Sequence, residues 1–265
     1  IYERDLAVRF QLIPNNDEII YRIPGSDPYT DSSPTTLLGE NQAHLDSKIG
    51  TANYDIGHVI RSTGSGVGSL SSVCSASSKG RGTSSFNLYL ITHELGHQMG
   101  APHSFNSTFG NCSGQQVSGT AYEPGSGTTQ MAYPTLCSPD NIPDPGSIYF
   151  FHESSRELIE AVVQISILSG CPVVTTTGNT PPQVETPEGN FFLPISTPFT
   201  LEGNATDADG DSLTFSWEQH DLGHAPNINS PTGDAPIFRT FNPVNHGSRI
   251  FPQISDIVNL SLIHI

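Results

Sequence analysis

The chain has 265 residues, of which 35% are hydrophobic and 14% are charged. This length fits one large domain or two ordinary ones, and the low charged fraction excludes a coiled coil or a charge-rich disordered chain. The 10 Lys and Arg residues against 26 Asp and Glu residues give a net charge of −16, which argues against nucleic acid as a partner. No stretch of the sequence reaches the ~18 consecutive apolar residues of a membrane helix. We expect a monomer without a membrane span.

Four cysteines indicate the compartment in which the protein works. They are Cys74, Cys112, Cys137 and Cys171, an even and sparse set without C-x-x-C spacing. Such a set predicts two disulfides in an oxidising compartment, so we expect the protein to be secreted or held at the cell surface. The spacing alone does not choose among the possible pairings. Because the chain starts at Ile1 without a visible signal peptide, we expect residue 1 to be an internal start.

The first third of the chain predicts short strands and one helix. Alternating apolar residues over 5–13 and 18–23 predict two strands, since turn residues separate them. Apolar residues then recur at helical spacing over 33–49, after a Ser-Pro pair that is typical of a helix start. A further short strand is predicted over 54–60. The stretch 62–85 is rich in Gly and Ser and is predicted to be a long loop.

Two more helices are predicted in the middle of the chain. One covers 87–99, because Gly100 follows it as a stop signal. The irregular stretch 101–150 is rich in Gly, Pro, Ser and Asn, and loops of that length are usually functional or cross-linked. Beyond it, Ser154 and Glu157 have the spacing of a capping box, and an apolar stripe after them predicts the second helix.

The composition changes beyond the last cysteine, which suggests two domains. Residues 1–172 form the first predicted domain, and a linker rich in Thr, Pro and Gly follows over 173–183. Short strands between Pro and Gly turns over 184–259 predict a β-sandwich of the immunoglobulin type, without a helix signal. Such a module needs about 100 residues, so we expect this one to be incomplete. The last residues, 260–265, fit neither domain and are predicted to be a non-native tail.

The motif H-E-x-x-H-x-x-G-x-x-H spans residues 93–103. On a helix, residues four apart lie on the same face, so His93 and His97 can bind the same metal ion. Gly100 permits the backbone to turn out of the helix, and His103 can then return as a third ligand. Three neutral imidazoles with one open position describe a catalytic zinc site, so one zinc ion is predicted.

Glu94 follows the first predicted ligand and projects beside the metal. A carboxylate at this place can take a proton from the zinc-activated water and pass it to the leaving amine. Glu94 is therefore predicted to be the general base of peptide-bond hydrolysis.

The long motif resembles the signature of the metzincin zinc endopeptidases. Met131, within T-Q-M-A-Y-P, lies where that family places the methionine of its Met-turn. Residues 1–171 are similar to the bacterial reprolysin-like metallopeptidases, also in the blocks 54–59 and 122–127. The resemblance implies an α+β catalytic domain with a twisted mixed sheet, an active-site helix and a C-terminal helix. It also implies that the first helix and strand of the family, and its propeptide, are missing from this chain.

The resemblance implies roles for residues outside the motif. The Met-x-Tyr spacing is similar to that of astacins and serralysins, in which the tyrosine reaches the zinc, so Tyr133 is either an oxyanion hydrogen-bond donor or a packing residue. The strand that lines the cleft in metzincins maps to Ile56, Gly57 and His58, which are expected to bind extended protein or peptide substrates. Ser104 departs from the snake-venom branch, which has Asp directly after the third histidine.

The resemblance also implies a disulfide pairing. Reprolysins connect the loop before the active-site helix to the C-terminal end of the domain, which would pair Cys74 with Cys171. They connect the segment after the third histidine to the region after the Met-turn, which would pair Cys112 with Cys137.

A cluster of carboxylates marks the predicted second domain. Asp207, Asp209 and Asp211 stand at alternate positions around a glycine. Oxygen ligands at this density suit calcium, although the Glu at position 12 of an EF-hand is absent. The alternative is an acidic hairpin turn without an ion. Calcium is therefore a candidate second cofactor beside zinc.

These patterns together predict a secreted zinc endopeptidase followed by the start of an immunoglobulin-like module. One alternative is a cell-surface adhesion or binding protein with an inactive protease-like domain, but such a protein would not need Glu94. A second alternative is a different zinc hydrolase, such as an amidase, but the third histidine, His103, and the Met-turn methionine, Met131, argue against it.

Overall fold

A computed structural model of the chain shows two compact units, each assembled from two separate stretches of sequence. The first unit comprises Ile1–Pro102 and Tyr149–Val174, and the second comprises His103–Ile148 and Thr175–Ile265. The structure describes residues 1–23, 25–30, 33–142, 148–185, 191–194 and 196–258. The predicted tail over 260–265 lies outside the described residues.

The first unit contains four of the described helices, and their ends follow from local sequence. They are α1 (Tyr2–Leu6), α2 (Pro34–Lys48), α3 (Leu88–Gln98) and α4 (Glu153–Leu168). The hydroxyl of Ser33 accepts the N–H of Thr36 at the start of α2, and the side chain of Asn87 accepts the N–H of Leu90 at the start of α3. Beyond α3, Gly100 adopts a φ of 110°, which favours glycine. Helices α2 and α3 lie within their predicted ranges, 33–49 and 87–99.

No helix in the described part of the chain has the length and apolar composition that crossing a membrane requires.

The first unit also contains a sheet of three short strands. They are β1 (Val59–Arg61), β2 (Val67–Gly68) and β3 (Gly82–Ser85). The central strand β3 runs parallel to β1 and antiparallel to β2, so the sheet is mixed, as the resemblance implies. The predicted loop over 62–85 is wrong, because it holds β2 and β3. Their Gly and Ser residues have low strand propensity, and the pairing and the contact of β3 with α3 decide the conformation instead. Of the stretch predicted as a strand over 54–60, only the last two residues lie in a strand, because β1 starts at Val59.

Helix α3 approaches the chain so closely that only glycine fits at two positions, one in β2 and one directly before it. A Cβ atom at Gly68 would lie 2.4 Å from the carbonyl oxygen of Glu94, and a Cβ atom at Gly66 would lie 2.5 Å from the side chain of Glu94. A glycine inside a strand commonly marks such a close approach. Strand β2 therefore lies directly against the turn of α3 that carries Glu94.

The N-terminal segment differs from its prediction. Strands are predicted over 5–13 and 18–23, but the structure has α1 and a 3₁₀ turn at Asn16–Ile19. Alternation of apolar residues does not make a strand without a partner, and none of the described strands pairs with these residues. Tyr2 is buried instead, and its hydroxyl donates to the carbonyl of Thr92 at 2.8 Å, which ties α1 to α3.

Helix α4 starts two residues earlier than a capping box at Ser154 requires. The ring of His152 caps it by accepting the N–H of Ser154 at 3.2 Å, so the predicted capping box with Glu157 is wrong. The disulfide between Cys74 and Cys171 connects the loop before α3 to the residues after α4. This is the pairing that the resemblance implies.

The second unit begins with the stretch that follows the first two predicted zinc ligands. Here β4 (Phe105–Asn106) pairs in parallel with β5 (Glu123–Pro124). Cys112 is bonded to Cys137, which is again the implied pairing. Tyr133 packs against a small core that surrounds this disulfide. The buried members of that core are Phe105, Cys112, Ala132 and Cys137.

Beyond residue 174 the described chain forms two small antiparallel sheets. The strands are β6 (Gln183–Glu185), β7 (Phe199–Leu201), β8 (Asn204–Thr206) and β9 (Arg249–Phe251), with β6 paired to β8 and β7 to β9. Residues 213–217 lie in the region of predicted short strands and form only a single bridge, between Phe215 and Val244. A short helix, α5 (Ile254–Val258), forms where the sequence shows no helix signal. These elements do not confirm the predicted sandwich.

Within the second unit, this C-terminal stretch contacts the stretch that starts at His103. The ring of His220 stacks on Tyr122, with centroids 4.4 Å apart and 7° between the ring planes. The N–H of Ile228 donates to the carboxylate of the fully buried Asp140 at 3.2 Å. Residues predicted to form a separate module are therefore in contact with residues of the predicted peptidase domain.

We expect Gly68→Ala to destabilise the first unit, because the added methyl group meets a helix carbonyl oxygen that cannot move aside. Overpacking of this kind costs about 1–3 kcal/mol, which chemical denaturation should show as a lower free energy of unfolding. Gly39→Ala is the matched control, because Gly39 is exposed in α2 and nothing lies within 4 Å of the added methyl group. That change should add about 0.5–1 kcal/mol of stability through helix propensity. Equal effects of the two substitutions would contradict the close approach of β2 to α3.

Candidate metal centre

Helix α3 places two of the predicted ligands one turn apart. His93 and His97 differ by four positions, so their rings lie on the same face of the helix, with centroids 4.8 Å apart. His103 follows after the turn at Gly100. The candidate ligand nitrogen atoms of the three histidines all lie within 4.8 Å of one another. The structure thus brings together the three residues that the motif predicts as ligands.

Two of these rings are oriented by backbone carbonyl groups. Nδ1 of His97 donates to the carbonyl of Ala101 at 2.7 Å, and Nδ1 of His103 donates to that of Gln115 at 2.8 Å. A carbonyl oxygen can only accept, so Nδ1 carries the hydrogen and Nε2 carries the lone pair that a metal needs. Metal-binding histidines almost always have such a second hydrogen bond. A donor set of three imidazoles held in this way fits Zn²⁺.

Burial favours the neutral form of the third predicted ligand, His103. His93 is 2% exposed and His103 is 7% exposed. Burial lowers the pKa of His103, and the hydrogen bond to the carbonyl of Gln115 acts in the opposite direction. Only a neutral imidazole binds a metal, so the surroundings favour the metal-binding form at neutral pH.

Glu94 is a buried acid next to the first ligand in α3, with 5% of its surface exposed. Burial raises the pKa of Glu94 to about 8, and a hydrogen bond from the backbone N–H of Gly68 in β2 opposes that shift. A divalent cation nearby would favour the ionised form of the same group. Glu94 is thus held by β2 at a place where a carboxyl group can gain or lose a proton near neutral pH.

Met131 and Tyr133 lie in contact with the segment of the third ligand. Met131 is fully buried, and its carbonyl accepts the N–H of Ser104, the residue after His103, at 3.2 Å. The ring of Tyr133 packs edge-on against the ring of His103, with centroids 4.5 Å apart, and also contacts Phe105. The structure therefore gives Tyr133 a packing contact with a predicted ligand. Its role at the oxyanion stays a prediction.

The residues predicted to bind substrate use their polar groups within the first unit. Gly57 is buried, and its carbonyl accepts the side-chain amide of Gln98 at 3.1 Å. His58 uses both ring nitrogens, towards Gln98 at 2.9 Å and towards Ser84 at 2.8 Å, and burial lowers its pKa. Ile56 is half-buried. These groups connect the sheet to α3, and a role in substrate binding stays a prediction.

The carboxylate cluster has the geometry of an acidic turn. The carboxylate oxygens of Asp207, Asp209 and Asp211 lie within 4.8 Å of one another. Asp207 Oδ1 accepts the backbone N–H groups of Asp209 at 2.8 Å and of Asp211 at 3.1 Å. Hydrogen bonds of this kind are what Asp commonly makes in turns without an ion. Calcium binding at this cluster stays a prediction.

Three residues around the site have no role in the prediction from sequence. Gly66 and Gly68 allow β2 to reach Glu94, and the signal for them is a glycine at every second position before the active-site helix. The buried carboxylate of Glu123 accepts hydrogen bonds from Ser104, which follows the third histidine, and from Thr129, which lies two residues before Met131. Its signal is that it is the only charged residue between positions 104 and 139.

A comparison with protein families gives a match over the part of the chain that contains the candidate metal centre. A family model described as metallo-peptidase family M12B, reprolysin-like, matches residues 1–159, which is more than half of the 265 residues. The chain belongs to this family. The match includes the three histidines, Glu94 and Met131. At the level of the family the protein is a zinc metallopeptidase that acts on peptides. A comparison with curated proteins gave no match.

We expect the ring of Tyr133, and not its hydroxyl, to support metal binding in this metallopeptidase. Tyr133→Phe keeps the contact with His103, so its zinc affinity should stay within about twofold of the wild type, whereas Tyr133→Ala should weaken it about tenfold. Competition with a chromophoric chelator measures both values. An equal loss in the two variants would show that the hydroxyl is needed.

Proposed function

We propose that this metallopeptidase is a secreted zinc endopeptidase with Glu94 as its general base. The observation that carries the proposal is the set of three histidine donors within 4.8 Å of one another, together with a buried carboxylic acid on the helix that carries two of them. Three protein ligands leave one position for water or substrate, which is typical of a catalytic zinc site, whereas a structural site has four protein ligands.

In this proposal the residues of the chain handle the proton and orient the ligands. When bound, zinc supplies a Lewis acid that polarises the scissile carbonyl and lowers the pKa of the attacking water to about 7. Glu94 accepts the proton of that water and later donates it to the leaving amine. The N–H of Gly68 orients the carboxyl group, and the carbonyl groups of Ala101 and Gln115 orient two of the ligand rings.

We further propose that an extended substrate pairs with β2; the alternative is the predicted contact with residues 56–58. Among the described strands, β2 pairs with β3 alone, which leaves its other edge for a peptide. The side of β2 that meets α3 carries the contact with Glu94. Pairing through the backbone gives affinity with little demand on the sequence of the substrate.

For the arrangement of the chain, we propose a peptidase domain over 1–172, a linker over 173–183 and an immunoglobulin-like module over 184–259. The pairing of the four described strands after residue 174 supports this proposal, because they pair only with one another. Secretion is supported by the two disulfides, since such bonds form and persist in oxidising compartments.

We expect Glu94→Gln to lower kcat about 10²- to 10⁴-fold, because the amide cannot take the proton of the attacking water. Zinc should stay bound at the wild-type stoichiometry, since Glu94 is not one of the proposed ligands. Casein turnover and elemental analysis of the same sample measure both quantities.

Glu185→Gln in β6 is the matched control for that variant, because Glu185 is exposed and lies outside the proposed site. It should keep wild-type turnover. Loss of zinc in Glu94→Gln, or turnover within about tenfold of the wild type, would contradict the assigned role of Glu94.

Metal removal tests whether the protein is a peptidase at all. A chelator should abolish casein turnover, and zinc added back at one equivalent should restore it, because the proposed reaction needs the Lewis acid. A binding protein with an inactive site would show no turnover at any zinc concentration. Full turnover in the metal-free protein would contradict the proposed mechanism.

A further inference from the structure

Glu123 places a buried carboxylate among neutral residues of the second unit. It is 1% exposed, and its two oxygens accept five hydrogen bonds from three residues. The hydroxyl of Ser104 donates at 2.6 Å, and the N–H groups of Thr128 and Thr129 donate at 2.7 Å and 3.0 Å. The hydroxyls of both threonines donate as well. None of these five donors is a cation, so hydrogen bonds hold the carboxylate in place.

These hydrogen bonds join two segments that each carry a residue of the candidate metal centre. Ser104 directly follows His103, and Thr129 lies two residues before Met131. The backbone repeats the connection, because the N–H of Ser104 donates to the carbonyl of Met131 at 3.2 Å and the N–H of Glu123 donates to the carbonyl of Ser104 at 2.9 Å. Ser104 is thus held through its N–H, its carbonyl and its hydroxyl.

We propose that Glu123 is a positioning residue for the third zinc ligand. Its carboxylate holds Ser104, and with it the backbone from which His103 projects, against the Met-turn. This inference rests on the zinc site proposed above.

The contacts of His103 show why this support matters. The carbonyl of Gln115 holds the ring through Nδ1, and the hydroxyl of Thr120 donates to the carbonyl of His103 at 2.7 Å. Those two contacts come from the chain that follows β4, whereas Glu123 holds the next peptide from β5. Hydrogen bonds to an ionised acceptor are shorter and stronger than neutral ones. They therefore limit rotation of the peptide between His103 and Ser104, which would move Nε2 of the ligand.

The test compares three variants of the full chain. Ser104→Ala removes the bond from the carboxylate to the ligand segment, and Ser104→Thr restores a hydroxyl. Ser107→Ala is the matched control, because Ser107 is an equally buried serine three residues along, whose hydroxyl donates to Asp140 at 3.0 Å. Zinc affinity is measured by competition with a chelator, ligand geometry by the absorption spectrum of the Co²⁺-substituted protein, and folding by thermal unfolding.

We expect Ser104→Ala to bind zinc about 10- to 100-fold more weakly and to have an altered Co²⁺ spectrum, as loss of support around a ligand does elsewhere. Ser104→Thr should restore both properties, and Ser107→Ala should retain them. Wild-type zinc affinity and spectrum in Ser104→Ala would overturn the proposal. An equal loss in Ser107→Ala would overturn it too, because it would indicate a general packing defect.

If Ser104→Ala does not fold, Thr129→Val is measured in its place, because valine keeps the shape of threonine and removes only the hydroxyl on the other side of the carboxylate. Weaker zinc binding in that variant supports the proposal, and unchanged binding overturns it. Failure of the wild type to bind zinc, or unchanged binding in His103→Ala, would instead contradict the proposed function itself.

Discussion

The contact between β2 and α3 is the constraint on which the rest of the proposed site depends. Neither Gly66 nor Gly68 has a side chain, so the strand lies against the turn of the helix that carries Glu94. This contact removes water from the carboxyl group, which is why its pKa is raised to about 8, and it supplies the N–H that orients the group. The same contact sets which edge of the sheet runs beside the helix of His93 and His97. The burial of Glu94, its raised pKa and the position of the sheet edge beside α3 therefore all depend on the absence of side chains at Gly66 and Gly68.

The parts of this protein that could be predicted from sequence are those that local geometry decides. Two histidines four residues apart must share a helix face, and the caps at Ser33 and Asn87 need only neighbours three residues away. Strands β2 and β3 could not be predicted in this way, because Gly and Ser residues become a strand only when a partner strand and a helix are present. The prediction of strands in the N-terminal segment is wrong for the opposite reason. Its residues have a strand-like pattern, but they have no partner among the described strands.

Glu123 shows a second limit of the sequence. Its hydrogen-bond partners lie 19 residues before it and 5 or 6 residues after it, so the residues next to Glu123 in the sequence do not predict them. Ser104 stands directly after the third histidine, where the snake-venom branch has Asp. In the folded chain a carboxylate does reach that position, from Glu123 in β5. A solitary charge in a long neutral stretch is thus a reason to look for a buried hydrogen-bond network.

The contacts of the C-terminal stretch bear on how such a protein can evolve. The side chain of Asn106 donates to the carbonyl of His224 at a sequence separation of 118 residues. A recombination event at the Thr-rich linker would replace this acceptor and leave a buried donor without its partner, at a cost of about 1–3 kcal/mol. Shuffling of the C-terminal stretch between genes is therefore constrained by the peptidase that precedes it. The two stretches should be inherited together.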